Sequence, residues 1–219
     1  MIDHMPRIRK TTTVAQSNDD PKPTRAEKVA RNRKALLEAG AEVVGEVGYE
    51  EATIAEISKR AGLAHGTFYK HFESRQAMFD ELLPTLGDRL LDEVRQQVRG
   101  SQDILEVEEK GFRGFFDFLV RNPGFYRVVN ESEVVAPAAF DRHISNLARH
   151  YTRALRRSLK DGEISGFEER DLEVVAYVLM AARFYIYLRF SKRGASAANI
   201  PEWVVSAYMR FVEHGLKGK

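Results

Sequence analysis

TIAEISKRAGLAHGTFYKHF, residues 53–72, spells a helix, a glycine turn and a second short helix. Thr53 and Glu56 have the T-x-x-E spacing of a capping box, in which hydroxyl and carboxylate each satisfy a free backbone N–H at a helix start. Ile54, Ile57 and Ala61 then share one helical face. Gly62 stands where that helix must stop, because glycine accepts the left-handed backbone of a C-terminal cap, and Leu63 anchors the turn. A second helix is predicted over residues 64–71. Phe68 and Phe72 face its core side, which leaves Ala64, His65, Thr67, Tyr69, Lys70 and His71 outward. Capping boxes and glycine stops occur on helices of every function. Two short helices joined by A-G-L, the second with so polar and aromatic an outer face, form a helix-turn-helix that suits a DNA major groove.

On these residues the segment 31–91 resembles the DNA-binding domain of the TetR family of bacterial transcriptional regulators. The matching stretches are the opening helix NRKALLEAGAEVVGEVGYEEAT, the segment 53–72, and ESRQAMFDEL at 73–82. The family's aromatic-x-x-F element, followed by a serine and a basic residue, is matched by Tyr69, Phe72, Ser74 and Arg75. Two positions depart from the pattern: Arg75 stands where lysine is usual, and Ala52 stands where a second threonine is common. The resemblance implies an all-α fold, with an N-terminal three-helix helix-turn-helix domain and a larger C-terminal helical body. It also implies that the body binds a small molecule and that its last two long helices pair with those of a second subunit.

Composition agrees. The chain has 219 residues and 43% hydrophobic content, enough for a core in one large domain or two smaller ones. It contains no cysteine, which removes disulfides and thiolate metal sites and suits a reducing compartment. No apolar run approaches a membrane span, and residues 1–24 lack the apolar core of a signal peptide. The expectation is a cytoplasmic bacterial protein with no membrane partner, nucleoid-associated when bound to DNA. The formal net charge is +2, yet residues 1–34 carry nine Lys or Arg against four Asp or Glu. Arg25, Lys28, Arg31, Arg33 and Lys34 are therefore candidates for the DNA backbone, where neutralised phosphates release counterions. Residues 1–24, with Pro21 and Pro23 and no apolar cluster, read as a disordered tail, with a minor-groove arm as the alternative.

From Ser74 onward no strand-type alternation is sustained, and helices are predicted over 74–98, 103–121, 124–133, 137–160, 168–193 and 201–216. Pro84 should kink or divide the first of these, and a small-residue loop is read over 194–199. The domain division follows: residues 25–75 form the DNA-binding head and residues 76–219 the ligand-binding and dimerisation body.

Within the head, Thr53, Tyr69, His71 and Arg75 are assigned to phosphate positioning, and Ala64, His65, Thr67 and Lys70 to base or methyl contacts. A lone recognition helix reads few base pairs, so a homodimer on a palindromic operator is expected. Leu172, Val175 and Leu179, with Trp203, Ala207 and Phe211, follow the helical period and are the expected dimer face, although intrachain core fits the same pattern. Rings such as Phe112, Phe115, Phe116 and Tyr187 suit a small, largely apolar or aromatic effector, an acid or acyl thioester included. Arg183 interrupts an apolar face and calls for an anion: a ligand carboxylate or phosphate, or an internal partner such as Glu131 or Glu133, the internal pair being favoured because buried charges are generally paired. His143 and His150 lie seven residues apart with no third ligand placed by spacing, so pocket or interface hydrogen bonds are preferred to a metal. No catalytic constellation, metal site or cofactor motif is read, and an enzyme is not expected. The reading is a ligand-responsive DNA-binding regulator, a repressor by analogy with the family. The alternative is a helical small-molecule-binding protein or enzyme with a vestigial helix-turn-helix.

Overall fold

A computed structural model describes residues 24–191 and 200–217. The tail read over residues 1–23, the end of the helix predicted to reach 193 and the loop read over 194–199 lie outside the described residues. Those described are helical throughout apart from turns, as expected: α1 Arg25–Glu51, α2 Ile54–Arg60, α3 His65–Phe68, α4 Arg75–Gln97, α5 Ile104–Arg121, α6 Phe125–Val135, α7 Pro137–Lys160, α8 Leu172–Phe190 and α9 Glu202–Lys217. One 3-10 turn, Glu169–Asp171, precedes α8.

The helix starts are set by local chemistry. Thr24 carries a complete capping box: its side chain accepts from the Glu27 N–H, and the Glu27 carboxylate accepts from the Thr24 N–H at 2.7 Å. At α2 only half of the predicted box forms. Thr53 accepts from the Glu56 N–H at 3.2 Å, but the Glu56 carboxylate turns to Arg60 and Lys59 instead. Ser74 caps α4 by accepting from the Ala77 N–H. Pro84 lies inside α4 without dividing it. Leu82, Leu83, Leu86 and Leu90 are all buried there, and this packed face outweighs the hydrogen bond that proline cannot make.

α1, α2 and α3 enclose a small core of Leu36, Val43, Tyr49, Ile57, Phe68 and Phe72, closed by Phe79 from α4. α4 continues into the body, where it packs on α5 and α7. The head is held to the body mainly through α1 and α6. Gly45 and Gly124 meet so closely that a Cβ built on Gly45 would lie 2.5 Å from the Gly124 Cα. Three residues further along, Gly48 leaves the helix with φ +88°, a backbone that favours glycine. Groups near this break are satisfied from α6. Arg127 donates to the Glu46 and Val47 carbonyls at 2.6 and 2.9 Å, and Glu131 accepts from the Tyr49 N–H at 2.8 Å. Glu131 is therefore engaged here with Arg127 at 2.6 Å, not with Arg183 as the sequence suggested.

Candidate nucleic-acid interface and ligand cavity

Gly62 ends α2 with φ +68°, as a C-terminal cap requires. α3 is shorter than predicted because the chain tightens into i→i+3 bonds: Lys70 N–H donates to the Thr67 carbonyl and His71 N–H to the Phe68 carbonyl. Phe68 and Phe72 are buried, their rings tilted against each other at 5.5 Å, which fixes the helix in the head. Ala64, His65, Tyr69 and Lys70 are exposed and Thr67 is half-buried. Tyr69 is 55% exposed. The His65 and Tyr69 rings meet edge to face at 5.7 Å, so the two are positioned together. Thr53 is exposed at the start of α2.

The other assigned head residues carry internal duties. His71 is half-buried, and burial first, then the nearby Arg33 and Lys70, hold its imidazole below the ordinary value. Arg75 donates to the Glu50 and Ala52 carbonyls at 3.0 and 3.1 Å and lies over the Phe79 ring. It supplies the cation that the last turn of α1 lacks. Ala52 is fully buried, so its methyl belongs to the head's core. In the basic run, Arg33 is corrected from a backbone contact to a structural one: it donates to the His71 carbonyl, pairs with Glu81 at 2.5 Å and covers the Phe72 ring at 4.3 Å. Arg25, Lys28, Arg31 and Lys34 remain exposed.

In the body, α4, α5, α6, α7 and α8 surround a cavity of about 460 Å³. Its wall is almost wholly apolar, with Leu90, Val94, Phe115, Val129, Leu147 and Phe184 among the lining residues. The polar side chains on it are Asn130, Glu133, His143, Tyr151 and Arg183, together with the tyrosines Tyr126, Tyr177 and Tyr185. Of the expected ligand residues, Phe115, His143 and Arg183 line this space. Phe112 and Phe116 do not: both are buried, and Phe112 stacks on Tyr208 at 4.1 Å in the core between α5 and α9. Tyr187 packs instead on Tyr126 at 5.0 Å. His150 is half-buried beside α4, its Nδ1 2.8 Å from the Asn146 carbonyl oxygen and its Nε2 3.4 Å from Arg95, and it does not line the cavity. Seven residues from it, His143 lies against Gly87 of α4 and is deeply buried, and desolvation pushes its pKa down to about 4. Periodicity cannot separate a lining side chain from a core one a position away, which is how Tyr151 and the α4 leucines were missed. Among the described residues no group of three or more His, Asp or Glu is placed to hold a metal.

Arg183 finds its anion in Glu108, whose carboxylate accepts from its Nη2 at 2.7 Å, with both side chains less than one-tenth exposed. Tyr208 donates its hydroxyl to the same carboxylate oxygen. Neither Glu131 nor Glu133 is the partner. Glu108 escaped attention because it sits among the acidic residues of a helix that reads as amphipathic, with nothing in its spacing to mark it as buried.

The expected dimer face also needs correction. Leu172 and Leu179 are buried within the chain and Val175 is half-buried, since this side of α8 packs on α7. The opposite side of α8 exposes Val174, Tyr177, Val178 and Tyr185. On α9, Trp203 and Phe211 are 62% and 63% exposed, and Ala207 lies exposed between them. Phe190 meets Trp203 at 5.3 Å, bringing the end of α8 to the start of α9.

Residues 36–82 match the family described as bacterial regulatory proteins, tetR family. The chain is 36% identical over 72 residues to the HTH-type transcriptional regulator YvdT of Bacillus subtilis, which covers 33% of this chain and 37% of that one. It is 33% identical over 103 residues to the HTH-type transcriptional activator FasR of Mycolicibacterium smegmatis, covering 47% of each. The chain thus spans less than half the length of these two relatives. Its fold matches a structure assigned to the TetR family from Rhodococcus sp. with a TM-score of 0.73 at 18% identity, over 86% of this chain and 100% of that one. It likewise matches the transcriptional regulator FadR from Bacillus subtilis, solved in complex with stearoyl-CoA, with a TM-score of 0.69 at 15% identity, over 84% and 98% of the two chains.

Proposed function

We propose that this chain, which belongs to the tetR family of bacterial regulatory proteins, is a DNA-binding transcriptional regulator that seats a homodimer on a palindromic operator and leaves it when a small apolar effector fills the body cavity. The observation that carries the reading is the surface of α3. Buried Phe68 and Phe72 lock the helix in place while His65, Tyr69 and Lys70 stand exposed side by side. Residues 25–75 act as the reading head and residues 76–219 as the body. Within the head, Thr53 and Tyr69 position phosphates, and Ala64, His65, Thr67 and Lys70 meet base edges. His71 and Arg75 support this surface from behind.

Dimerisation uses the exposed sides of α8 and α9, which fits the need to place two short helices in successive major grooves. Repression is the expected sign, because a dimer across an operator excludes polymerase. FadR holds stearoyl-CoA in a similar fold, which supports an effector role for an apolar cavity.

The test is fluorescence-anisotropy binding to the DNA flanking the gene and to sites selected from random DNA, at several salt concentrations. A palindrome bound tightly in the presence of competitor is expected, and Tyr69→Ala with Lys70→Ala should remove that binding while the circular-dichroism spectrum and Tm stay unchanged. Retained affinity in the double variant, or no preferred sequence at all, would overturn the proposal. A reporter driven by the selected site then separates repression from activation.

A further inference from the structure

We infer, on the reading that the body cavity takes the effector, that its polar end is built for an uncharged hydrogen-bond acceptor: the carbonyl of a ketone, ester, amide or thioester on an otherwise apolar molecule, in preference to a free carboxylate. The inference starts from two atoms. Arg183 Nε and the Tyr151 hydroxyl are both buried and have no hydrogen-bond partner, and both residues line the cavity. They are neighbours, with the guanidinium carbon 5.0 Å from the centre of the Tyr151 ring. Buried polar groups are nearly always satisfied, and leaving a donor unmade is costly. Two donors on adjacent side chains suit one oxygen with two lone pairs, which a carbonyl supplies.

Charge decides between a carbonyl and a carboxylate. The arginine would at first sight invite an anion, but its charge is already answered by Glu108, and that carboxylate is further held by the Tyr208 hydroxyl. A ligand carboxylate entering beside this pair would bring an unneutralised charge into an apolar wall. Of the other titratable groups on the cavity, the tyrosines Tyr126, Tyr177 and Tyr185 with Glu133 and His143, none supplies a compensating positive charge. Glu133, exposed on the cavity wall, is a second acidic side chain there, and desolvation keeps buried His143 neutral at pH 7. A neutral acceptor meets both donors and adds no charge. The volume of about 460 Å³ lies within the range of small-molecule sites and holds the apolar remainder.

The experiment uses the full chain and a neutral apolar fluorophore, N-phenylnaphthylamine, displaced by three molecules of matched length: methyl decanoate, decanoate and dodecane. The ester should displace the dye on the order of tenfold more tightly than decanoate. Tyr151→Phe, which keeps the ring beneath Arg183 and removes only the hydroxyl, should cut the ester's advantage over dodecane by about fivefold and leave dodecane itself unchanged. If dodecane displaces the dye but decanoate matches the ester, or if Tyr151→Phe leaves the ester-to-alkane ratio unmoved, the head-group assignment is wrong and the cavity reading stands. If the dye shows no saturable binding and none of the three raises the Tm, the cavity reading falls and this inference falls with it.

Discussion

Arg183 and Glu108 stand 75 positions apart in the chain and meet at 2.7 Å in the middle of the body. Both side chains are less than one-tenth exposed, so each is the other's main substitute for water's stabilisation of charge, aided by the Tyr208 hydroxyl on Glu108 and the Tyr151 and Phe112 rings beside Arg183. Removing one member leaves a buried charge uncompensated. Glu108→Ala should lower the unfolding free energy by about 3–5 kcal/mol, read from urea denaturation at fixed protein concentration. Replacing both together, Glu108→Leu with Arg183→Met, should recover most of that loss, since two well-packed apolar side chains carry no desolvation penalty. A double variant as unstable as the single one would show that the pair is not the cause.

Acid should weaken the fold through His143. Burial against Gly87 and Phe125 holds its pKa near 4, against an ordinary 6.5. The folded state therefore refuses a proton that the unfolded chain accepts between those values. The contribution is whole above pH 6.5, falls as pH drops through the window from 6.5 to 4, and amounts to roughly 3 kcal/mol at most. Unfolding followed across that window should show a slope that His143→Gln largely removes. An unchanged slope in the variant would place the acid sensitivity elsewhere.

Gly45 and Gly124 set the spacing of head and body. A methyl at Gly45 would meet backbone, the Gly124 Cα at 2.5 Å, and backbone cannot swing aside as a side chain can. Gly45→Ala should therefore cost about 1–3 kcal/mol through overpacking and loosen α1 from α6. Hydrogen exchange should then rise at the Tyr49 amide, which Glu131 protects. Protection equal to that of the unaltered chain would mean that the contact does not hold the two parts together.

The exposed apolar sides of α8 and α9 should be the subunit contact. Val178→Glu together with Phe211→Glu changes two residues that are 50% and 63% exposed and lie off the cavity wall, so the monomer fold should tolerate both within about 0.5 kcal/mol each. Analytical ultracentrifugation should report monomers where the unaltered chain forms dimers, and affinity for a palindrome should fall with it. A variant that still sediments as a dimer would assign the contact to another face.

Local chemistry made the all-α fold and the head legible. Gly62 at a helix stop, Ser74 as a cap and Phe68 and Phe72 at core spacing act within a few residues of themselves, and such short-range terms can be read from neighbours along the chain. The helix from Pro137 to Lys160 fell on its predicted bounds for the same reason: a proline at its start and Asp161-Gly162 at its end. Arg33 and Arg75 show the opposite case. Both read as cations aimed at DNA, yet each serves groups 23 to 48 positions away.

The same limit governed the body. Periodicity showed that α8 carries an apolar face, but apolar residues surround this helix, so the pattern did not say which side meets its own chain; packing on α7 chose Leu172 and Leu179 and left Val174 and Val178 outside. The sequence by itself determined the order of the helices, most of their caps and the outward placing of Ala64, His65, Tyr69 and Lys70, because caps, turns and spacing act locally. The tertiary structure alone decided the partner of Arg183, the lining of the cavity and the free side of α8 and α9, because those depend on which helices touch, and distance in space is not encoded in distance along the chain.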